Sequence, residues 1–382
     1  MKRALFALYI LLFSLLSMTS PLCAQEAASW VRKLYSPQTD TVSLIFIGDI
    51  MQHGPQLTAA KTPEGYHYLP CFAPLAPRLQ AADLSVANIE TVFAGAPYAG
   101  YPVFSSPDAL IPDLKTSGIQ LLLTANNHLC DRGAKGLTRS LDLFDSTGIL
   151  HTGLFRSPQE RKERYPLLVD RKGIRIAILS YSYGTNGFPV PHPFVFNHID
   201  TAQIAADILK AQRMLPDFIV ACMHWGEEYQ IHQNARQEVL AAFLQKKGVD
   251  IIIGSHPHVP QGMEVIYNDF NEIKHVVVYS LGNVVSNMTL PHTQIGLLAE
   301  VKVIKNGFYK AIVSFDYEWI ATEQRIEGGI RKYYVLPLTQ CTVPSASVSI
   351  QRSGTPQPSL HFRTDTLSSG TIKYVLWKKP SI

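Results

Sequence analysis

The chain repeats one pattern. A short apolar run, rich in β-branched residues, stops at a polar cluster, and a stretch with helical spacing often follows. "TVSLIFIGDIM" runs apolar from Val42 to Ile47 and turns at Gly48-Asp49. "ADLSVANIET" ends in Asn88, Glu90 and Thr91, and "GIQLLLTANNHLCDRG" ends in Asn126, Asn127, His128 and Asp131. "IRIAILSYSY" ends in a Tyr/Ser/Gly/Asn loop, "DFIVACMHWGEEY" reaches His224, "VDIIIGSHPHV" reaches His256 and His258, and "KHVVVYSLGNVVSN" reaches Asn283. Runs of this length and composition read as fully buried strands. The spacing predicts helices over Ala134–Thr147, Thr201–Leu215 and Gln233–Lys247.

Strand, loop and helix in alternation predict an α/β fold built on a largely parallel sheet. In such sheets ligands sit beyond the carboxyl ends of the strands. Every polar cluster follows its strand, so all of them are expected at one rim. From about Gln294 the helices stop. The segments from "IGLLAEVKVI" to "RKYYVLPL", then "ASVSIQR" and "SLHFRTD", predict antiparallel strands that finish the sheet or form a small β appendage. The Pro-containing stretches 61–77 and 94–112 read as surface insertions near the site.

Composition narrows the class. With 382 residues, 46% hydrophobic and 17% charged, the chain is globular and long enough for a sizeable core. A net charge of +4 is spread without a Lys/Arg run of five, which gives nucleic-acid binding little support. Lys2-Arg3, an apolar stretch from Ala4 to Met18 and Leu22-Cys23-Ala24 read as a secretory signal peptide cut after Ala24, residues 1–24. Export to the periplasm or the medium is the expectation, and an uncleaved N-terminal anchor the alternative. Four cysteines follow (Cys71, Cys130, Cys222 and Cys341), too few for a disulfide scaffold, so buried thiols are expected.

The rim would hold Asp49, Glu90, Asn127, His128, Asp131, His224, His256 and His258. Each alone has an ordinary explanation: a Gly-Asp turn, a helix cap, a solvent-facing histidine. Together they combine carboxylate, amide and imidazole, the donor set that suits divalent Mn, Fe or Zn. Other chemistries are weaker. Ser180, Ser182 and Ser255 lie in no Gly-x-Ser-x-Gly elbow, and Cys130 and Cys222 fit packing better than thiolate catalysis.

Six motifs in order, "GDIM", "VANIE", "TANNHLCDRGAKGL", "MHWGEEY", "GSHPHVPQGMEV" and "YSLGNVV", resemble the CapA family of capsule and poly-γ-glutamate synthesis, itself similar to calcineurin-like metallophosphoesterases. The resemblance spans about residues 42–300 and leaves 301–382 as a C-terminal β-rich extension. It implies a four-layer α/β/β/α sandwich holding one or two divalent ions (Mn, Fe or Zn). Asp49 and His258 would then serve the first ion. Glu90 would bridge, and Asn127, His224 and His256 would serve the second. His128 would stand beside the substrate as acid or oxyanion stabiliser, with Asp131 as a second catalytic candidate. Glu228 and Asn283 are candidates for substrate contact. The wider superfamily has Asp-x-His where this chain has Met51, so the first ion lacks an imidazole. His53 is either its replacement or a plain loop histidine.

These readings point to a metal-dependent hydrolase of phosphoester or amide bonds in an anionic extracellular polymer, in peripheral association with envelope export machinery. The rival is a non-catalytic polymer-binding accessory of capsule export.

Overall fold

The structure is a computed structural model that describes residues 40–341 and the backbone of the strands Phe362–Thr366 and Ile372–Leu376. The signal-peptide reading of residues 1–24 and the segment "ASVSIQR" lie outside the described residues.

Sequence alternation fixes the layers. Along the strand Asp40–Ile50, Val42, Leu44 and Phe46 face one way and Ile45 and Ile47 the other, as successive side chains of a strand must. The first set joins Val86, Ile178, Val220, Ile251 and Val278 in a core of strands alone. The second set packs with Leu110, Leu114, Leu137, Leu141 and Phe144 of the helices Leu110–Thr116 and Gly133–Thr147. On the far side, Leu179, Ala221 and Ile252 meet Ile204, Ile208 and Leu244 of the helices Thr201–Arg213 and Ala235–Lys247. Three apolar cores therefore separate four layers in the order α/β/β/α. Each fully buried Leu, Ile or Phe contributes roughly 1.5–3 kcal/mol, so this patterning carries most of the fold's stability.

Both half-sheets have parallel strands. Leu150–Thr152, Leu121–Leu123, Leu84–Ile89 and Asp40–Ile50 form the first. Ile174–Ser182, Phe218–His224, Ile251–Ser255 and Ile273–Val278 form the second. The antiparallel pair Ile295–Asn306 and Tyr309–Glu327 joins them: the former borders Asp40–Ile50, and the latter reaches the second half at Ile273↔Ile312. The segments after Gln294 thus finish the sheet. The strand Ile295–Asn306 runs across residue 300, because hydrogen bonding to residues 40–47 continues without a break there.

The predicted helices form within two residues of their expected ends. Asp200 and Asn234 cap the backbone N–H groups of Gln203 and Gln237, and Gly248 ends the second helix in the left-handed conformation at φ +98°. The segment 61–77 departs from expectation. It contains the helix Leu69–Phe72, and Phe72 and Leu75 are fully buried in the first helical core, because an apolar face was hidden among prolines. Phe104, in the other expected insertion, is also fully buried.

Candidate functional site

Strand ends from both half-sheets meet at one rim. Asp49 closes the strand Asp40–Ile50, where the pairing with Leu84–Ile89 shifts register between Ile47 and Asp49. Such irregularities re-aim a side chain. Glu90 follows the neighbouring strand, and Asn127 and His128 follow Leu121–Leu123. His224 and Ser255 sit opposite each other at the ends of paired strands, so the Ser255 hydroxyl reaches His224 Nδ1 at 3.0 Å. The halves are tied across the rim by the His256 N–H, which donates to Asp49 Oδ2 at 3.2 Å.

His256 has φ +99° and His258 φ +59°, conformations that non-glycine residues rarely adopt. Strain of this kind persists only where the surroundings hold it, and it clusters at functional sites. The sharp turn in "GSHPHVPQG" aims both rings inward. Gly254 allows it: a Cβ there would stand 1.9 Å from the Tyr279 carbonyl oxygen.

Two fully buried three-residue sets result, each with its donor atoms within 4.8 Å of one another: Asp49, Glu90 and His258, and Glu90, His224 and His256. All five residues are buried. Asn127 Oδ1 extends the second set, 2.8 Å from His224 Nε2. Glu90 belongs to both. Its Oε1 lies 3.7 Å from His224 Nε2 and 3.7 Å from His258 Nε2. Neither Glu90 Oε1 nor His256 Nδ1 has a hydrogen-bond partner among the described residues.

The electrostatics match a cation. Burial, then the neighbouring Asp49 carboxylate, push the Glu90 pKa well above the usual carboxylate range. Burial first, and then the other imidazoles, hold His224 far below its ordinary value and His256 at about 3. The site therefore offers neutral imidazole lone pairs beside a carboxylate that ionises readily only next to positive charge. Orphaned buried donors around a shared carboxylate fit two divalent ions.

His128 stands at the edge. Its Nδ1 is 2.9 Å from Asp131 Oδ2, which also accepts the Phe104 N–H at 2.8 Å. The Phe104 ring lies edge-on to the imidazole, with centroids 4.7 Å apart. Asp131 acts on the imidazole's orientation and does not join a donor set. Asn283 Oδ1 is 3.1 Å from His258 Nδ1, while its amide donates to Ser286 Oγ and the Thr293 carbonyl. Asn283 thus links His258 to the turn that holds Ser286 and Thr293. Glu228 is exposed at the mouth, within reach of His256 and His258.

His53 does not take the missing imidazole's place. Its Nδ1 accepts the Asn287 N–H at 3.3 Å and lies 3.2 Å from Gln56 Oε1, and it joins no donor set among the described residues. It starts the helix Gly54–Ala60, and burial lowers its pKa to about 4. All four described cysteines are free thiols, with Cys130 and Cys222 buried.

Sequence reasoning named Asn88 among the polar residues that end its run but gave it no role in the site. Its amide donates to Asp49 Oδ1 at 2.7 Å and lies 3.5 Å from Glu90 Oε2 and 3.4 Å from His224 Nδ1. Its position two residues before Glu90 was the available signal, since that spacing shares a strand face. Tyr183, the last residue of "IRIAILSYSY", also reaches the rim. It packs on His256 at 4.4 Å between centroids and stacks over His224 at 6.2 Å.

Several known proteins are similar to this chain. The capsule biosynthesis protein CapA of Bacillus anthracis is 26% identical over 301 residues, covering 74% of this chain and 70% of that protein. The PGA biosynthesis protein CapA of Bacillus subtilis is 28% identical over 298 residues, covering 74% of each. Among solved structures, the calcineurin-like phosphoesterase YfkN from Bacillus subtilis gives a TM-score of 0.44 at 11% identity, covering 74% of this chain and 91% of that chain. The family described as bacterial capsule synthesis protein PGA_cap matches residues 43–288, a span that contains every rim residue from Asp49 to Asn283, and the chain belongs to that family.

Proposed function

We propose that the protein is an exported, metal-dependent hydrolase of capsule or poly-γ-glutamate metabolism that cleaves a phosphoester or amide bond of an anionic polymer. One observation carries the reading. Glu90 is shared by two buried donor sets, and its oxygen between the two histidines is unpaired. A carboxylate so placed destabilises the metal-free protein, and a pair of cations relieves it.

Asp49 and His258 would hold one ion, His224, His256 and Asn127 the other, with Glu90 between. Divalent ions, when bound, supply Lewis acidity and lower the pKa of bound water. The chain's own residues do the rest. Asp131 fixes the ring of His128 through Nδ1, which leaves Nε2 to carry the proton given to a leaving group or to bond a developing oxyanion. Asn88 holds Asp49 in place, and Asn283 and Ser255 set the rings of His258 and His224. Tyr183 covers His224 and His256 and limits water at the mouth.

A second reading rests on Met51. A thioether is a poor donor to a hard ion, which favours a polymer-binding accessory that holds metal without turnover. A Mycobacterium tuberculosis relative, 25% identical over 223 residues, is called a probable polyglutamine synthesis accessory protein. The deciding experiment uses the mature chain from Gln25, loaded with Mn, Fe or Zn, against chromogenic phosphoesters and γ-glutamyl polymers. Metal-dependent turnover lost in His256→Ala supports the hydrolase. Stoichiometric metal without turnover supports the accessory. N-terminal sequencing of the secreted protein tests cleavage after Ala24.

A further inference from the structure

We propose that Glu228 is the protein donor that replaces the imidazole missing at Met51, completing the ion site of Asp49, Glu90 and His258. The inference rests on the two-ion reading above and deepens it.

The donor count sets the need. The second set has Glu90, His224, His256 and the Asn127 oxygen. The first has three donors, and Met51 contributes only a buried thioether. Among the described residues a further ligand-type group touches this region: Glu228 with His256 and His258, donor atoms within 4.8 Å of one another. It takes one histidine from each set, so the Glu228 carboxylate lies within 4.8 Å of a donor atom of His258 in the first set and of His256 in the second. His256 within this group keeps a buried Nδ1 without a partner.

The backbone holds Glu228 there. The Tyr229 N–H donates to the carbonyl of Pro257, the residue between the two histidines, at 2.8 Å, and the Trp225 N–H donates to Ser255 at 3.1 Å. Tyr229 has φ +66°, a third strained non-glycine residue beside His256 and His258. The loop bearing Glu228 and the loop bearing the histidines are thus one hydrogen-bonded unit.

Charge separates this role from substrate contact. A free carboxylate at the mouth repels a phosphoester or polyglutamate chain, whereas a carboxylate bound to a divalent ion leaves the site net positive. A glutamate also suits Mn, Fe or Zn where the thioether does not.

The test measures metal, not turnover. Metal-free protein is titrated with Mn²⁺ by calorimetry, with stoichiometry checked by elemental analysis and the Mn–Mn coupling read by electron paramagnetic resonance. Wild type is expected to bind two ions with a coupled signal. Glu228→Gln, an exposed and nearly isosteric change, should keep one tight equivalent, weaken the other about ten- to hundredfold, and lose the coupling. Met51→His combined with Glu228→Gln should restore the second equivalent, and Glu227→Gln should behave as wild type. Two wild-type equivalents in Glu228→Gln would overturn the Glu228 role and leave the two-ion reading standing. Equal weakening in Glu227→Gln would also overturn it, because bulk charge would then explain the effect. A wild type that binds no Mn²⁺ would overturn both.

Discussion

His224 Nε2 lies 3.7 Å from Glu90 Oε1, an oxygen with no hydrogen-bond partner among the described residues. Without a cation this pairing is unfavourable. The carboxylate is buried beside Asp49, and the imidazole is held neutral. Glu90→Gln removes the ionisable carboxyl, with its cost of burial or protonation, and keeps the shape. The metal-free variant should be more stable than metal-free wild type by about 1 kcal/mol, or roughly 2 °C in a chain this long. The rise in Tm on adding Mn²⁺ should disappear with it. Differential scanning fluorimetry with and without Mn²⁺ checks both. A lower metal-free Tm in Glu90→Gln would contradict the account.

His128 and Asp131 should separate from the metal donors in their effects. His128→Gln should reduce turnover of a responsive phosphoester about 10²- to 10⁴-fold with metal content unchanged, as expected for loss of a positioned acid. Asp131→Asn keeps a hydrogen-bonding group but alters the ring's tautomer, so it should cost less and shift the pH profile of kcat. Loss of metal in either variant would place the pair in the donor set instead.

How much of this was legible in the sequence follows from where the information lies. Strand periodicity and β-branching are local, so Val42, Leu44 and Phe46 announced a buried strand, and the ends of seven such strands gave the rim. Asp49, Glu90, Asn127, His224, His256 and His258 were visible because each sits at the end of its strand or in the loop that follows it. Contacts between distant loops were not visible. That His53 would bond the Asn287 N–H, 234 residues away, depends on how two half-sheets fold together. The burial of Phe72 and Leu75 was masked by nearby prolines, which suggested a loop. The contacts of Asn283 were hidden for a similar reason: its partners Ser286 and Thr293 belong to a turn that local spacing does not define.

Glycine at position 48 should be intolerant of any side chain. A Cβ there would lie 1.8 Å from the Gly282 carbonyl oxygen, backbone that cannot withdraw, because Gly282 itself has φ +68° and accepts the Asp49 N–H at 3.0 Å. Gly48→Ala should cost about 3 kcal/mol or more and displace Asp49 from the rim. Gly54→Ala, where nothing lies within 4 Å of the added methyl, is the control. Urea unfolding of the two variants should differ sharply. Equal stability would mean that the two strands separate at little cost.

Asp250 offers a pH test far from the metal donors. It sits at the amino end of the strand Ile251–Ser255, where its Oδ2 accepts the Ile219 N–H at 2.8 Å. Burial raises its pKa to about 6, against the opposing effects of that hydrogen bond and of the Lys310 ammonium. The folded state therefore binds a proton more tightly than the unfolded chain, whose carboxyl titrates near 3.9. Between about pH 4 and 6 the folded protein carries more protons, so this residue's contribution is fully present below pH 4 and is lost as pH rises through 6. Two units at 1.36 kcal/mol each set an upper bound of about 3 kcal/mol. Asp250→Asn keeps an oxygen for the Ile219 N–H and cannot ionise. Measured by urea unfolding, its stability should match wild type near pH 4 and exceed it increasingly up to pH 7, where the gap levels off. A difference that stays constant from pH 4 to 8 would mean that Asp250 titrates normally in the fold.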